Sequence, residues 1–398
     1  MSRPEWREYS LVELAHLIRR GPFGGVIKKE IFVANGFKVY EQGNAIYDDF
    51  EGGNYFIDKW KYRELAGFAI RADDLIISCS GTIGRVAIVP KEASPGIINQ
   101  ALMLIRPNTE RITPSFFRHL LETPDIQRKL FGQSNGSTMK NVMPLDDIKA
   151  TSVSLPPPSE QRRIAAILDK ADAIRLKREE GIRMTEELLR STFLEMFGDP
   201  VTHPSKPLSE IAAVVSGVTK GRKLNGRAIV VPYLRVANVQ DGFLNLDEIK
   251  TIEALPEEVE SLALRHGDIV MTEGGDHDKL GRGAIWNHDL TPCIHQNHIF
   301  RVRVDQEALL PDYFATFLRT REAKAYFLRC AKKTTNLASI NMTQLKGLPV
   351  PIPPLNMQRR FQQTNHAIFG LSAARKHAAL QAEGLFGSLV QRAFRGEL

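Results

Sequence analysis

The sequence has few cysteines and no long apolar run, and both absences narrow the class of protein. Its 398 residues include only Cys79, Cys293 and Cys330, too few and too far apart for a disulfide framework or a CxxC-type zinc site. No apolar stretch approaches the roughly 18–20 residues of a membrane span. The first thirty residues carry charges throughout, unlike a secretory signal. The sequence therefore predicts a cytoplasmic protein in a reducing compartment, without a membrane partner.

The sequence also lacks the motifs of nucleotide-driven and group-transfer enzymes. Gly-Lys followed by Ser or Thr never occurs, so there is no Walker A loop to bind ATP. Gly281-Arg282-Gly283 lacks the third glycine of a dinucleotide fingerprint. No Asn-Pro-Pro-aromatic or Asp-Pro-Pro-aromatic run of an amino-methyltransferase occurs either. We therefore expect no catalytic residue, no cofactor and no bound metal in this chain.

Two short patterns could nevertheless support chemistry. Glu248-Ile249-Lys250 fits the loose Glu-x-Lys of metal-dependent nucleases, but a three-residue pattern arises by chance in most chains of this length. Cys293, His295 and His298 are spaced as possible metal ligands, yet they fall in an apparent strand and lack a fourth ligand. We favour a structural or DNA-facing role for these three residues. A nuclease that uses Glu248 and Lys250 stays open as an alternative.

The main positive signal is a tandem duplication. Leu11-x-Glu13-Leu14-Ala15 aligns with Leu208-x-Glu210-Ile211-Ala212 at an offset of 197 residues. In between, Asp74 aligns with Asp268 at an offset of 194, which indicates a loop that differs by three residues. The offset of 197 then returns and aligns Phe117 with Phe314, Pro156 with Pro353, Gln161 with Gln358, and Phe197 with Phe394. Two copies of one unit therefore account for nearly the whole chain.

Each copy divides in the same way. Residues 1–155 and 201–355 are rich in predicted strands such as Leu75–Ile77 and Val86–Val89, whereas 156–200 and 356–398 are helical in pattern. Segments 113–131 and 310–330 follow prolines and predict further helices. We expect an α+β protein with two similar mixed globular domains, each followed by a long helix.

The two long helices begin after proline runs and have equal length. Gln161–Phe197 and Gln358–Phe394 each span 37 residues, about 55 Å if unbroken. An apolar stripe follows the first of them and needs a partner. Each helix could pack on its own domain, but the equal lengths favour an antiparallel pair that holds the two domains at a fixed separation. The members of the stripe are Ile164, Ile167, Leu168, Ala171, Ile174, Ile182, Leu189, Phe193 and Phe197.

The charge distribution points to local clusters rather than to a uniformly basic surface. The net charge of +7 and a pI of about 9.2 suit a polyanion. Residues 1–155 contain 20 basic and 18 acidic side chains, and residues 201–355 contain 19 and 17. DNA contacts should therefore come from a cationic loop at 217–227 and from amide-, hydroxyl- and lysine-rich segments before each proline run. The candidate DNA-binding residues are Ser137, Lys140, Asn141, Lys220, Arg222, Lys223, Arg227, Lys332, Lys333 and Asn341.

These features together resemble the specificity (S) subunit of type I restriction-modification systems over essentially the whole chain. The matching segments are Asp74–Ile77, Gly81–Arg85, Tyr233–Gly242, Pro157–Gln161 and Gln391–Leu398. Each is weak by itself, but in this order and duplicated they are quite specific. One departure is Met357, which stands where the first helix entry has Glu160.

The resemblance implies that each globular domain is a target recognition domain for one half of a split, asymmetric DNA sequence. It implies that the helices form an antiparallel coiled coil that sets the unread spacer and docks two methyltransferase (modification) subunits. Those subunits would bring S-adenosylmethionine and methylate adenine, and restriction/translocase subunits would join. The docking residues are expected at the helix entries: Glu160, Gln161, Arg162, Gln358 and Arg359. The alternative is a two-lobed protein-interaction scaffold without a DNA role, which the mild net charge favours.

Overall fold

The computed structural model describes residues 6–23, 25–132, 143–198, 203–222, 224, 226–275, 280–333 and 338–398. The chain forms two compact units. The first unit comprises residues 1–179 and 377–398, and the second comprises residues 180–376. Each unit therefore contains one globular domain and half of each long helix.

The first unit contains a four-stranded antiparallel sheet whose strands run in the order β2-β9-β6-β7. A mixed sheet, β3-β5-β4-β8, and the antiparallel pair β1-β10 complete it. Its strands are β1 (Arg7–Ser10), β2 (Ala15–Arg20), β3 (Phe32–Val33), β4 (Phe37–Tyr40), β5 (Phe56–Ile57), β6 (Leu75–Ser78), β7 (Val86–Ile88), β8 (Gly96–Ile98), β9 (Leu102–Pro107) and β10 (Ser152–Leu155). Its helices are α1 (Gln42–Tyr47), α2 (Lys59–Glu64), α3 (Pro114–Leu121), α4 (Pro124–Phe131), α5 (Leu145–Ala150) and the first part of α6 (Pro158–Phe197).

The second unit repeats this plan with the sheet order β12-β19-β15-β17. Smaller sheets are β14-β13-β18, β16-β21-β20 and the pair β11-β22. The strands are β11 (Ser205–Pro207), β12 (Ala212–Ser216), β13 (Ile229–Leu234), β14 (Lys250–Ala254), β15 (Asp268–Thr272), β16 (Gly274–Gly275), β17 (Gly283–Trp286), β18 (Ile294–His295), β19 (Ile299–Val304), β20 (Lys332–Lys333), β21 (Ala338–Ser339) and β22 (Pro349–Pro351). The helices are α7 (Pro256–Leu262), α8 (Pro311–Phe317), α9 (Arg321–Cys330), α10 (Met342–Lys346) and α11 (Leu355–Ala393).

One ion pair occupies the same place in both main sheets. In the first unit Arg106 donates through Nε and Nη2 to the Asp74 carboxylate at 2.8 and 2.7 Å. In the second unit Arg303 donates to Asp268 at 2.7 Å through both nitrogens. Both carboxylates are only 1% exposed. The aligned positions of the two copies therefore fold into the same structure, which confirms the duplication in three dimensions.

Both long helices join the core of each unit. In the first unit Ile164 and Leu168 of α6 and Ala393 of α11 lie in one apolar cluster. In the second unit Phe193 of α6 and Phe361 of α11 share another. Thus the end of α6 completes the second unit, and the end of α11 completes the first.

The aromatic contacts at the helix ends show this exchange directly. Phe394, the residue directly after α11, packs on Phe116 with ring centroids 5.3 Å apart. At the equivalent place in the second unit, Phe197 of α6 packs on Tyr313 at 4.8 Å. Within the first unit the two helices run antiparallel, since Arg163 donates to the Leu398 carbonyl at 2.7 Å and Arg175 lies beside Glu383. The predicted antiparallel pair is confirmed, and the alternative is partly right because each helix also packs on its own domain.

The sequence predicted the main strands correctly, but it predicted one helix in each of two segments where the structure has two short helices. β6 and β7 confirm the strands expected at Leu75–Ile77 and Val86–Val89. The single helix expected at 113–131 is instead α3 and α4, because Pro124 begins a second helix and disfavours helical backbone in Thr123. The segment 310–330 likewise divides into α8 and α9, the second of which is capped by Thr320.

Each long helix is anchored to its domain by one aspartate, but this aspartate lies on the helix in the first unit and on the globular domain in the second. In the first unit the acid lies on the helix, because Asp169 of α6 accepts hydrogen bonds from Ser115 at 2.7 Å and contacts His119 at 2.8 Å. In the second unit the acid lies on the globular side. Asp312 of α8 accepts from Asn365 at 2.8 Å and contacts His366 of α11 at 3.2 Å.

Candidate nucleic-acid interface

The cationic loop of the second unit follows β12 and starts at Gly217, where the backbone requires a glycine. A Cβ on Gly217 would lie 1.8 Å from the His295 carbonyl oxygen, so only glycine lets the chain pass this close. Gly221 then takes a φ of +76°, which turns the chain without strain only at glycine. Lys220 and Arg227 are exposed at the surface of this loop. The structure thus presents two of the predicted cations to solvent; Lys223 lies outside the described residues.

Arg222 of the same loop is already engaged by an acid. Its guanidinium forms a bidentate ion pair with Glu258 of α7, and the hydrogen bond from Arg222 lowers the pKa of that carboxyl. Glu258 also accepts from the Leu255 backbone N–H at 2.9 Å at the start of α7. A phosphate that bound Arg222 would have to compete with this carboxylate, so Arg222 is a weaker candidate than Lys220 and Arg227.

The second predicted cluster is only partly described. Its first-copy members Ser137, Lys140 and Asn141 lie outside the described residues. In the second copy Lys332 and Lys333 form β20, which pairs antiparallel with β21, and Lys332 is exposed. These lysines therefore lie on an edge strand of the three-stranded sheet β16-β21-β20.

Asn341 has a structural role that the sequence did not indicate. It is the N-cap of α10, and its Oδ1 accepts from the Gln344 N–H at 2.8 Å. The Gln344 side chain accepts from the Asn341 N–H at the same distance, which completes a capping box. The oxygen of Asn341 is thus committed to the helix start, and a DNA contact of this residue stays a prediction.

The glutamines of the two helix entries are also structural. Gln161 is 2% exposed and Gln358 is fully buried. Gln358 accepts from the Leu310 N–H at 2.8 Å and donates to the carbonyls of Ala308 and Pro353 at 3.0 and 2.8 Å. Gln161 makes the same three bonds to residues 113, 111 and 156. Both glutamines thus have a structural role at the helix entries, and their expected docking role stays a prediction.

The other three docking candidates remain at the surface. Arg162 and Arg359 are exposed at equivalent positions of α6 and α11. Glu160 is partly buried and accepts from Arg163 at 2.7 and 2.9 Å, and this bond lowers the pKa of Glu160. Each helix entry thus has an inward glutamine that locks it to its domain and an outward arginine next to it.

The nuclease-like pair Glu248 and Lys250 forms a surface ion-pair cluster. Glu248 lies 3.0 Å from Arg235 and 3.3 Å from Lys250, and hydrogen bonds from both cations lower its pKa. Across the described ranges, no group of three or more His, Cys, Asp or Glu side chains converges as metal ligands would. Two cations around a single carboxylate are typical of a solvated ion pair rather than of a metal-dependent nuclease.

The predicted ligand triplet does not converge on one point. Burial raises the pKa of Cys293 to about 12 and lowers the pKa of His295 to about 4. His295 is fully buried, and its Nδ1 lies 3.0 Å from the Ile299 carbonyl. His298 instead lies at the surface, 2.6 Å from Glu273. The two expected roles thus separate, with a structural His295 and an outward His298.

The sequence did not single out Glu273. Its carboxylate and His298 line a cleft of about 510 Å³ together with Val236, Gly274, Gly275, Ala338 and Ser339. The signal lies in the alignment of the two copies, since the equivalents are Cys79 and Ala101. A carboxylate–imidazole pair that replaces two small apolar residues on the same frame marks a position where the copies differ in what they contact.

The structure has two equivalent α+β units that share a pair of long helices, and the two units carry different polar side chains on the same backbone frame. This arrangement defines a tandem recognition scaffold. The family of type I restriction modification DNA specificity domains matches residues 4–185 and again 200–369. The chain therefore belongs to this family.

Two named relatives and one solved structure show the same likeness. The StySPI specificity subunit of Salmonella potsdam is 24% identical over 83% of this chain and 75% of its own length. The EcoKI specificity subunit of Escherichia coli strain K12 is 22% identical over the same shares. The S subunit of the type I system of M. genitalium shares the fold, with a TM-score of 0.55, 14% identity, and coverage of 99% of this chain and 97% of that one.

Within the ranges that the structure describes, no helix combines the length and the apolarity needed to cross a membrane.

Proposed function

We propose that this chain is the DNA-recognition subunit of a type I restriction-modification complex and takes no catalytic part itself. Each globular domain reads one half of a split, asymmetric target, and the two long helices fix the length of the unread spacer. The domain limits stay as predicted, with recognition domains at 1–155 and 201–355 and long helices at 156–200 and 356–398.

The supporting observation is that the frame repeats while the exposed side chains do not. The ion pairs Arg106–Asp74 and Arg303–Asp268 make equivalent hydrogen bonds. The buried glutamines of the two helix entries do so as well. The loop at 217–227 has four cations and no acid, whereas the aligned segment 21–31 of the first unit has only Lys28 and Lys29, followed by Glu30. One frame with two different surfaces is what two readers of different half-sites require.

The proposed protein partners are two modification subunits and, in the complete enzyme, restriction/translocase subunits. Arg162 and Arg359 are the proposed docking residues, since both are exposed at equivalent helix entries. Glu160, which pairs with Arg163 beside one of these entries, has Met357 as its counterpart in the other. The two docking surfaces are therefore equivalent in position but not in charge.

Binding of the purified complex with its modification subunits to DNA tests the proposal. We expect one bipartite duplex to be bound strongly, and its affinity to fall about 10³-fold or more from about 50 to about 200 mM salt, because phosphate neutralisation releases counterions. Lys220→Gln and Arg227→Gln should each reduce the salt slope by about one. Lys149→Gln, a change at a partly exposed lysine of α5 that pairs with Asp146, serves as a control that leaves the slope unchanged.

Three outcomes are distinguished by this experiment. Sequence-selective, salt-sensitive binding supports the recognition subunit. Absent or salt-insensitive binding in an intact complex would favour the protein-interaction scaffold. Magnesium-dependent cleavage of DNA by the isolated chain, abolished by Glu248→Gln, would instead establish a nuclease.

A further inference from the structure

The cleft lined by Glu273 and His298 lies where two central strands of the second unit begin and end. Glu273 follows β15 and His298 precedes β19, and the Glu273 N–H donates to the His298 carbonyl at 3.0 Å. The two side chains meet at 2.6 Å between Nδ1 and Oε2. His298 is 56% exposed and Glu273 is 34% exposed. A sheet thus holds rigidly a carboxylate–imidazole pair that is open to solvent.

The donor and acceptor pattern of this pair is specific. When Nδ1–H of the neutral imidazole donates to Glu273, the ring presents only the Nε2 lone pair, and the carboxylate presents only lone pairs. The Asn297 amide lies 3.5 Å from Nε2, which is too long to occupy it firmly. The Glu273 carboxylate accepts hydrogen bonds whichever tautomer His298 adopts, so the cleft favours a ligand edge that donates hydrogen bonds.

The rest of the cleft suits the close approach of a flat, polar edge. Gly274 and Gly275 pair with Ser339 and Ala338 across β16 and β21, so one wall is backbone with small side chains. On the other side of β21, Lys332 stands directly across from Ser339. An exposed cation next to an acceptor-lined cleft can neutralise a phosphate while the cleft contacts a base.

The first unit has the same frame without this chemistry. The Cys79 N–H donates to the Ala101 carbonyl at 2.7 Å, as the Glu273 N–H does to His298. Neither Cys79 nor Ala101 supplies a carboxylate or an imidazole. In their place Ser80 donates to the Gln42 side chain at 2.7 Å, so an amide lies at the corresponding edge.

We propose that Glu273, oriented by His298, reads a base with an exocyclic amino group in the major groove, the N4 of cytosine or the N6 of adenine. The carboxylate accepts from this amino group, which guanine and thymine lack at that edge. This inference rests on the proposed function and assigns the reading of one base pair of one half-site to the second unit.

The test uses the complex of the full chain with its modification subunits, expressed in cells whose methylated adenines are then sequenced. The wild-type chain defines the bipartite motif. Glu273→Gln is nearly isosteric but presents an N–H₂ donor instead of an acceptor. We expect it to change one position of one half-site from an amino-bearing base to guanine or thymine, or to make that position degenerate, with the spacer and the other half-site unchanged.

Binding of purified complexes to four duplexes that differ only at that position gives a second readout. Glu273→Gln should reduce the ratio of affinities between amino-bearing and carbonyl-bearing bases about 10-fold. His298→Gln retains a donor toward Glu273 and should give a smaller change in the same direction. Glu260→Gln, a matched change at an exposed glutamate of α7, is the control and should leave the motif and the ratio intact.

The results separate failure of this assignment from failure of the proposed function. An unchanged motif and ratio in both cleft variants would overturn the assignment, and so would an equal loss of affinity for all four duplexes. If the wild-type complex showed no motif that depends on this chain, the proposed function itself would fail.

Discussion

Two buried aspartates, Asp74 and Asp268, show how single residues hold the repeated frame. Each accepts two hydrogen bonds from an arginine across the sheet and one from a backbone N–H three residues earlier. A carboxylate removed from water is stable only with such partners. Their equivalence explains why the sequence alignment of the copies survives at these positions while it fails in the loops.

Asp268→Asn should lower the free energy of unfolding by about 3 kcal/mol, since it leaves Arg303 facing an amide N–H₂ in a site that is mostly buried. Trp286 reports on this site, because it is fully buried and lies directly across from Asp268 in the β-ladder. We expect its fluorescence transition to move to lower urea concentration. Asp146→Asn, which alters a carboxylate 93% exposed in the first unit, is the control with a change below about 1 kcal/mol. Equal midpoints for both variants would contradict the prediction.

His295 should make the second unit sensitive to acid. Burial lowers its pKa from 6.5 to about 4. Between these values the unfolded chain binds a proton that the folded protein refuses, so stability is lost as pH falls through this window. The expected loss is about 1.4 kcal/mol per pH unit. Urea unfolding followed through Trp286 at about pH 7 and about pH 5 should show this loss in the wild-type protein but not in His295→Asn.

At the scale of elements, the sequence predicted what depends on periodicity and missed what depends on tertiary contacts. The strands β6 and β7 and the long helices follow from local apolar patterns. Gln161 and Gln358 were expected at the surface because glutamine on a helix is usually exposed. They are buried because they bond to distant backbone groups such as the carbonyls of Arg111 and Ala308, about fifty residues away in sequence. Glu273 and His298 are twenty-five residues apart, and no local pattern joins them.

The long helices allow a direct test of the spacer role. The boundary between the two compact units falls between residues 179 and 180 of α6 and between residues 376 and 377 of α11. An insertion of about four residues, roughly one turn, at both points leaves the contacts inside each unit intact. We expect the spacer in the methylated motif to lengthen while both half-sites stay the same. An insertion in α6 alone is the control and should abolish methylation, and altered half-sites would refute the division between readers and spacer.

At the scale of the whole molecule, a duplicated chain can misfold by docking a helix on the wrong domain, because the first parts of α6 and α11 are similar. The anchoring contacts have opposite polarity in the two units: Asp169 faces Ser115 and His119, and Asp312 faces His366 and Asn365. If the helices docked on the wrong domains, Asp169 would face Asp312, and His366 would face Ser115. We therefore expect the opposite placement of the two acids to raise the energy of the mispaired state and so to favour correct docking of each helix.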